Sequence, residues 1–177
     1  MGANAPQARH DLTRSSVVGR ILFVVVAVAA FAIDRVLKLV VQDQLDVGEY
    51  RQVLGDLLQL HHVQNPGIAF GWLSGAGGLV VVGSLVVGVL LFTFMLRVDP
   101  DDLLTVIGGA LITGGALGNL VDRVQHSYVT DYLQLPNFPT FNFADACITV
   151  GVIMVLLAQL LAILHERRAA ATPDDGE

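Results

Sequence analysis

Apolar residues in this chain gather into four long blocks instead of recurring at the spacing of an amphipathic surface. The blocks cover about residues 17–41, 77–96, 103–121 and 143–164. Crossing the hydrocarbon core of a bilayer takes roughly 20 apolar residues in a helix, and each block meets that length. Between the first two blocks, residues 42–72 change period. Leu58-Gln59-Leu60-His61 alternates, and Asn65-Pro66-Gly67 follows as a turn, which predicts short β-strands. The pattern as a whole predicts an all-α membrane protein of four transmembrane helices, with a small extracytoplasmic β-sheet between helices 1 and 2. Residues 97–102 contain Pro100 and make a connection short enough to set helices 2 and 3 antiparallel. The third block is rich in Gly108, Gly109, Gly114, Gly115 and Gly118, which let helix backbones approach closely in lipid. Residues 122–142 are polar, carry Pro136 and Pro139, and are expected to loop back outside. One membrane domain over 17–166 results, with an N-terminal arm (1–16) and a C-terminal tail (167–177).

Composition agrees with the blocks. Of 177 residues, 54% are hydrophobic and 15% charged, where a soluble domain carries about a quarter charged residues. The net charge of −6 and the lack of a basic stripe exclude nucleic acid as a partner. Cys147 is the single cysteine, so neither an internal disulfide nor a cysteine metal cluster can form. The first block has the basic lead of a signal peptide and a small-x-small stretch at Ala30-Phe31-Ala32. Its apolar character resumes past Asp34 and Lys38, however, so it reads as a span. Arg9, Arg14, Arg20, Arg97, Arg167 and Arg168 fall on one side of the four-span topology, which puts both termini in the cytoplasm by the positive-inside rule.

Candidate chemistry lies in the polar residues at the span ends. A charge at bilayer depth costs at least about 2.5–3.5 kcal/mol, so such residues face the bundle interior and serve a purpose. Asp34, Lys38, Asn65, Asn119, Asp122, Arg123, Asp131, Asn142 and Asp145 all map to the outer ends or outer loops. Two carboxylates that share a site cannot easily both ionise. One can then take a proton from an attacking water while the other gives a proton to the leaving amine. Competing sets are weaker. His126-Ser127 has no third partner, and adjacent His61-His62 would point to opposite faces of a strand. Pairing alone leaves Asp34, Asp122, Asp131 and Asp145 all open.

Five motifs narrow the choice. Asn65-Pro66-Gly67-Ile68-Ala69-Phe70 resembles the Asn-x-Gly-x-Ala-Phe motif of lipoprotein signal peptidases. Gly118-Asn119-Leu120-Val121-Asp122-Arg123 is similar to their Gly-Asn-x-x-Asp-Arg block. Val129-Thr130-Asp131-Tyr132 resembles their Val-x-Asp-Phe motif, and Phe141-Asn142-Phe143-Ala144-Asp145 their Phe-Asn-x-Ala-Asp motif. Asp34-x-x-x-Lys38 is similar to their first block. The order of the motifs matches the family from about residue 20 to 165.

The resemblance implies a membrane aspartyl protease of the signal peptidase II type, in the cytoplasmic membrane of a bacterium, with its active site toward the outer face. It implies Asp131 and Asp145 as the catalytic pair. Asn65, Gly67, Phe70, Asn119, Arg123 and Asn142 would bind substrate or shape the site, with Asp34, Lys38 and Asp122 in support. The implied partners are diacylglyceryl-modified prolipoproteins, cut before the lipidated cysteine, and membrane lipid. No metal and no organic cofactor are expected, and nothing demands more than a monomer. Tyr132 departs from the family's Phe and brings a hydroxyl that needs a partner. The loop after Asp131, with Pro136 and Pro139, is expected to clamp the lipidated cysteine.

Plainer readings stand beside these. Asp34 and Lys38 could be an ordinary intrahelical pair, Asp122 a tie between helices, Asn65 a turn former and Trp72 an interfacial anchor. Asn142 fits the N-cap of the last helix. A small proton-coupled transporter is the rival function, and it would need polar residues along the whole depth. An assembly protein that uses its carboxylates as helix glue is another, and it would tolerate Asn at Asp131 and Asp145.

Overall fold

The computed structural model describes residues 5–66, 93 and 102–171. Apart from residue 93, the predicted span at 77–96 lies outside the described residues, as do residues 97–101, Gly67, Phe70, Trp72 and the tail beyond 171. Helix α1 (Ala5–Gln44) carries the first apolar block, and its helical backbone begins well before residue 17. Helix α2 (Leu103–His126) carries the third block. Asp102 caps it, accepting from the Thr105 backbone N–H at 3.2 Å and thereby satisfying one of the free donors of the first turn. It ends at Ser127, whose left-handed conformation (φ 63°) returns its N–H to the Arg123 carbonyl. Helix α3 (Phe143–Ala171) carries the fourth. Among the described residues these three are long and apolar enough to cross a membrane.

The helices are unequal. Over their most apolar stretches, α2 is 56% buried against 22% for α1 and 17% for α3, so α2 is the central helix. Its small residues are the reason. A methyl on Gly114 would sit 2.5 Å from the Ala27 carbonyl of α1, and one on Gly108 2.8 Å from the Gly151 carbonyl of α3. Backbone therefore meets backbone on both sides, the packing that drives association in lipid. Val25, Val28, Val36, Val40, Ile153, Leu156 and Leu160 stay exposed, apolar surface suited to acyl chains.

A three-stranded antiparallel sheet sits over the end where α1 and α2 finish and α3 begins. Strands β1 (Tyr50–Leu54) and β2 (Leu58–Asn65) form a hairpin, as the alternation in 42–72 predicts. The third strand, β3 (Val129–Gln134), pairs with β2 and comes from the segment expected to be a loop. The sheet is thus not confined to the connection between helices 1 and 2. Val129, Thr130 and Tyr132 suit a strand, but the partner that makes it one lies more than sixty residues upstream, so the pairing is invisible locally. Val41, Leu45 and Tyr132, with Leu37, Leu60, Leu133 and Phe143 against them, pack the sheet onto α1 and α3. Gln42 Nε2 donates to Thr130 Oγ1 at 2.7 Å and fixes β3 against α1.

Candidate active site

The junction of sheet and helices holds a continuous lattice of buried polar side chains. Asp131 projects from β3 and is buried. Asp145 lies in the first turn of α3 and is half-buried. Asn142 and Asp145 form a reciprocal cap at the start of α3. The Asp145 backbone N–H donates to Asn142 Oδ1 at 3.0 Å, and the Asn142 N–H donates to Asp145 Oδ2 at 3.1 Å. This is the geometry of a capping box, so the N-cap expected from sequence also orients a candidate catalytic carboxylate.

Two carboxamides link the two carboxylates. Asn142 Nδ2 donates to Asp131 Oδ1 at 2.7 Å and to Asn119 Oδ1 at 3.1 Å. Asn119 Nδ2 donates to Asp145 Oδ1 at 2.8 Å. Asn65, at the end of β2, gives its Nδ2 to Asp131 Oδ2 at 2.8 Å. Each carboxylate therefore receives two N–H donors, one on each oxygen. Burial pushes the Asp131 carboxyl up to about 6; the Asn65 hydrogen bond opposes this and the nearby Asp145 charge adds to it. A carboxyl poised there can exchange a proton near neutral pH.

Beneath this layer lies an ionic one. Lys38, fully buried, sits 2.9 Å from Asp34 Oδ2 and 3.0 Å from Asp122 Oδ2. Arg35 pairs with Asp122 Oδ1. Two cations thus face two carboxylates, a balance that buried charges require. Asp34 Oδ1 accepts from the Ala144 backbone N–H at 3.0 Å and Asp122 Oδ2 from the Thr130 N–H at 3.1 Å. The ionic layer consequently grips the residue before Asp145 and the residue before Asp131. Gly118 makes room for it, since a methyl there would collide with the Asp34 carboxylate.

The structure brings Asp34, Lys38, Asn65, Asn119, Asp122, Arg123, Asp131, Asn142 and Asp145 to one end of the bundle. Asp34 and Lys38 do pair within α1, and both also reach across to other elements. Asp122 is a tie, but to α1 and β3 and not to its neighbour Arg123. Arg123 Nη1 donates to the Asn119 carbonyl at 3.3 Å, while its buried Nε lacks a partner among the described residues. Gly67 and Phe70 lie outside the described residues. The Tyr132 hydroxyl finds a partner by accepting from the Phe143 N–H at 3.3 Å. His62 is buried against the Leu45 carbonyl (2.9 Å), and His61 stacks on Tyr50, so both are structural. Sequence reasoning did not assign Arg35, Gln42 or Thr130 to the site. Arg35 carried a signal, being a charge inside an apolar block; the other two are ordinary polar residues until the fold brings them together.

Comparison with known proteins places this chain in a family. The family model described as signal peptidase (SPase) II matches residues 26–161, a stretch that includes both aspartates. A lipoprotein signal peptidase of Halothermothrix orenii is 36% identical over 133 residues, covering 75% of this chain and 91% of that protein. One from Desulfitobacterium hafniense is 39% identical over 139 residues, covering 78% and 92%, and one from Brucella ovis 38% over 152 residues, covering 82% and 92%. Among solved structures, a bacterial membrane enzyme determined by the in meso method at 1.9 Å superposes with a TM-score of 0.74 at 29% identity. That match covers 78% of this chain and 92% of the other. With matches of this identity over most of both chains, this chain belongs to the signal peptidase II family.

Proposed function

We propose that this chain is an aspartic endopeptidase that removes the signal peptide from diacylglyceryl-modified prolipoproteins, cutting just before the lipidated cysteine, with Asp131 and Asp145 as its catalytic pair. One observation carries the reading. The two carboxylates come from different elements, yet Asn119 and Asn142 join them through a single chain of hydrogen bonds.

In the proposed reaction the ionised carboxylate takes a proton from water as the water oxygen attacks the scissile carbonyl. The protonated partner hydrogen-bonds the carbonyl oxygen and then delivers its proton to the cysteine nitrogen as the C–N bond breaks. The products are a signal peptide ending in a carboxylate and a lipoprotein beginning with a free α-amino group. Water is the only co-reactant. Asn65 and Arg123, at the rim of the pair, would hold the substrate backbone. The substrate would enter sideways from the outer leaflet, with the enzyme acting as a monomer in the bacterial cytoplasmic membrane and both termini in the cytoplasm.

The test is cleavage of a diacylglyceryl-modified prolipoprotein by purified protein in detergent. Wild type should cut, and Asp131→Asn and Asp145→Asn should each lose at least about 10²–10⁴-fold in rate while remaining folded. A folded variant with near-full activity would move the assignment to Asp34 or Asp122. A transporter reading draws no support from the comparisons, and the buried charged and carboxamide side chains of the described helices cluster at one end instead of running the whole depth.

A further inference from the structure

We infer that Lys38 is a positioning residue for the reaction: it fixes which end of the Asn119 carboxamide, and through it of the Asn142 carboxamide, faces the two aspartates. The inference rests on the aspartic protease reading above. Lys38 was expected only to support the site, but its contacts give it a more specific task.

A carboxamide has two ends of nearly equal shape and opposite hydrogen-bonding character, and only its partners decide which way it points. One end of the Asn119 carboxamide faces Lys38 Nζ at 2.9 Å and Asn142 at 3.1 Å, and the other faces Asp145 Oδ1 at 2.8 Å. An ammonium can only donate, so the end toward Lys38 must be oxygen. The NH₂ end must then face Asp145. The same logic passes to Asn142. Its group facing Asn119 Oδ1 must be NH₂, whose second hydrogen goes to Asp131 Oδ1, and its oxygen is left for the Asp145 backbone N–H. Reversing Asn119 would set NH₂ against an ammonium and an oxygen against a carboxylate. Lys38 thus fixes the Asn119 amide and, together with the Asp145 backbone N–H, the Asn142 amide, so that both aspartates are met by N–H and not by lone pairs.

The remaining contacts of Lys38 suit this role. Asp34 and Asp122 flank its ammonium as ion-pair partners. Asn119 is the group it hydrogen-bonds among the described residues. N–H donors favour the ionised form of a carboxylate, and one ionised member is what the pair needs to activate water. The charged groups around the pair among the described residues are Asp34, Arg35 and Lys38 from α1 and Asp122 and Arg123 from α2. Lys38 is the cation buried between Asp34 and Asp122 and bonded to the relay.

Lys38→Met keeps the length of the side chain and removes the donors, but it strands Asp34 in the interior. Lys38→Met combined with Asp34→Asn removes one charge of each sign and guards against simple unfolding. Both are to be assayed on a diacylglyceryl-modified prolipoprotein across pH, with thermal melting to confirm folding. Alongside, infrared titration of the protonated carboxyl band should be run on wild type, the double variant and Asp131→Asn. The expected result for the folded double variant is a kcat lower by roughly 10- to 100-fold, with KM within about threefold. The acid limb of its kcat/KM profile should move up by about one pH unit, and the Asp131-dependent infrared transition should move with it. A folded double variant with wild-type kcat, profile and infrared transition would make Lys38 only a strut and overturn the inference. If wild type fails to cut, the protease reading falls and takes the catalytic role with it. The infrared titration still reports in that case, because it needs no substrate: a shift would retain the amide relay as a structural fact, and none would remove that too.

Discussion

The two ends of the small-residue stripe on α2 are built alike and do opposite things. Towards residue 108 the helices meet glycine to glycine, Gly108 against Gly151, with Met154 and Val155 beside them. Towards residue 118 the stripe turns to α1, and what fills the space beside Gly118 is the carboxylate of Asp34. Behind it stand Lys38, Asp122, Asn119 and Asn142, all buried. One end is small residues packed for stability. The other uses the same closeness to hold charges that could not stay in an apolar interior without partners. The lesson is that small residues on α2 serve adhesion at one end and site construction at the other, and substitution should separate the two.

Among substitutions that separate the two ends, the largest effect is expected from Gly118→Ala. The added methyl would displace Asp34, which anchors the Ala144 N–H beside Asp145. A misplacement of about 1 Å can cost roughly 100-fold in rate, so prolipoprotein cleavage should fall by that order while KM changes little. Full activity would mean that the ionic layer tolerates rearrangement and does not position the pair.

The next effect concerns pH and belongs to the polar end alone. The Asp131 carboxyl is pushed up to about 6 from an ordinary value of 3.8, so between those values the folded state holds more proton than the unfolded one. Stability must then fall as pH rises from about 4 to 6, by up to about 3 kcal/mol. Asp131→Asn should abolish that fall. Melting temperatures of both proteins across this range would show it, and parallel curves would place the raised group elsewhere.

Gly108→Ala should act on stability only. Its methyl would meet the Gly151 carbonyl at 2.8 Å and the Met154 and Val155 side chains at 3.0 Å, an overpacking that costs about 1–3 kcal/mol. Activity per folded molecule should stay within about twofold of wild type. A large catalytic loss would show that the two ends are mechanically coupled. Smallest of all, Leu156→Val on the exposed face of α3 (63% exposed) should shift stability by no more than about 0.5 kcal/mol.

By itself the sequence determined three long apolar helices of spanning length, because length and apolarity suffice to specify a span. It also determined that the polar chemistry collects at one end, because charges inside apolar blocks are costly enough to be conspicuous. The N-cap at Asn142 was legible for a similar reason: its partner is only three residues away. Motif resemblance singled out Asp131 and Asp145 where carboxylate pairing alone left four aspartates open. The tertiary structure decided what depends on distant partners. Residues 129–134 become a strand because β2 supplies the hydrogen bonds, and no local pattern can announce an edge so remote. Asp122 turns to Arg35 and Lys38, not to adjacent Arg123, because the close approach of α1 and α2 decides which cation it meets. The direction of the Asn119 amide follows likewise from an ammonium on another helix, since a carboxamide has no preferred end until its neighbours assign one.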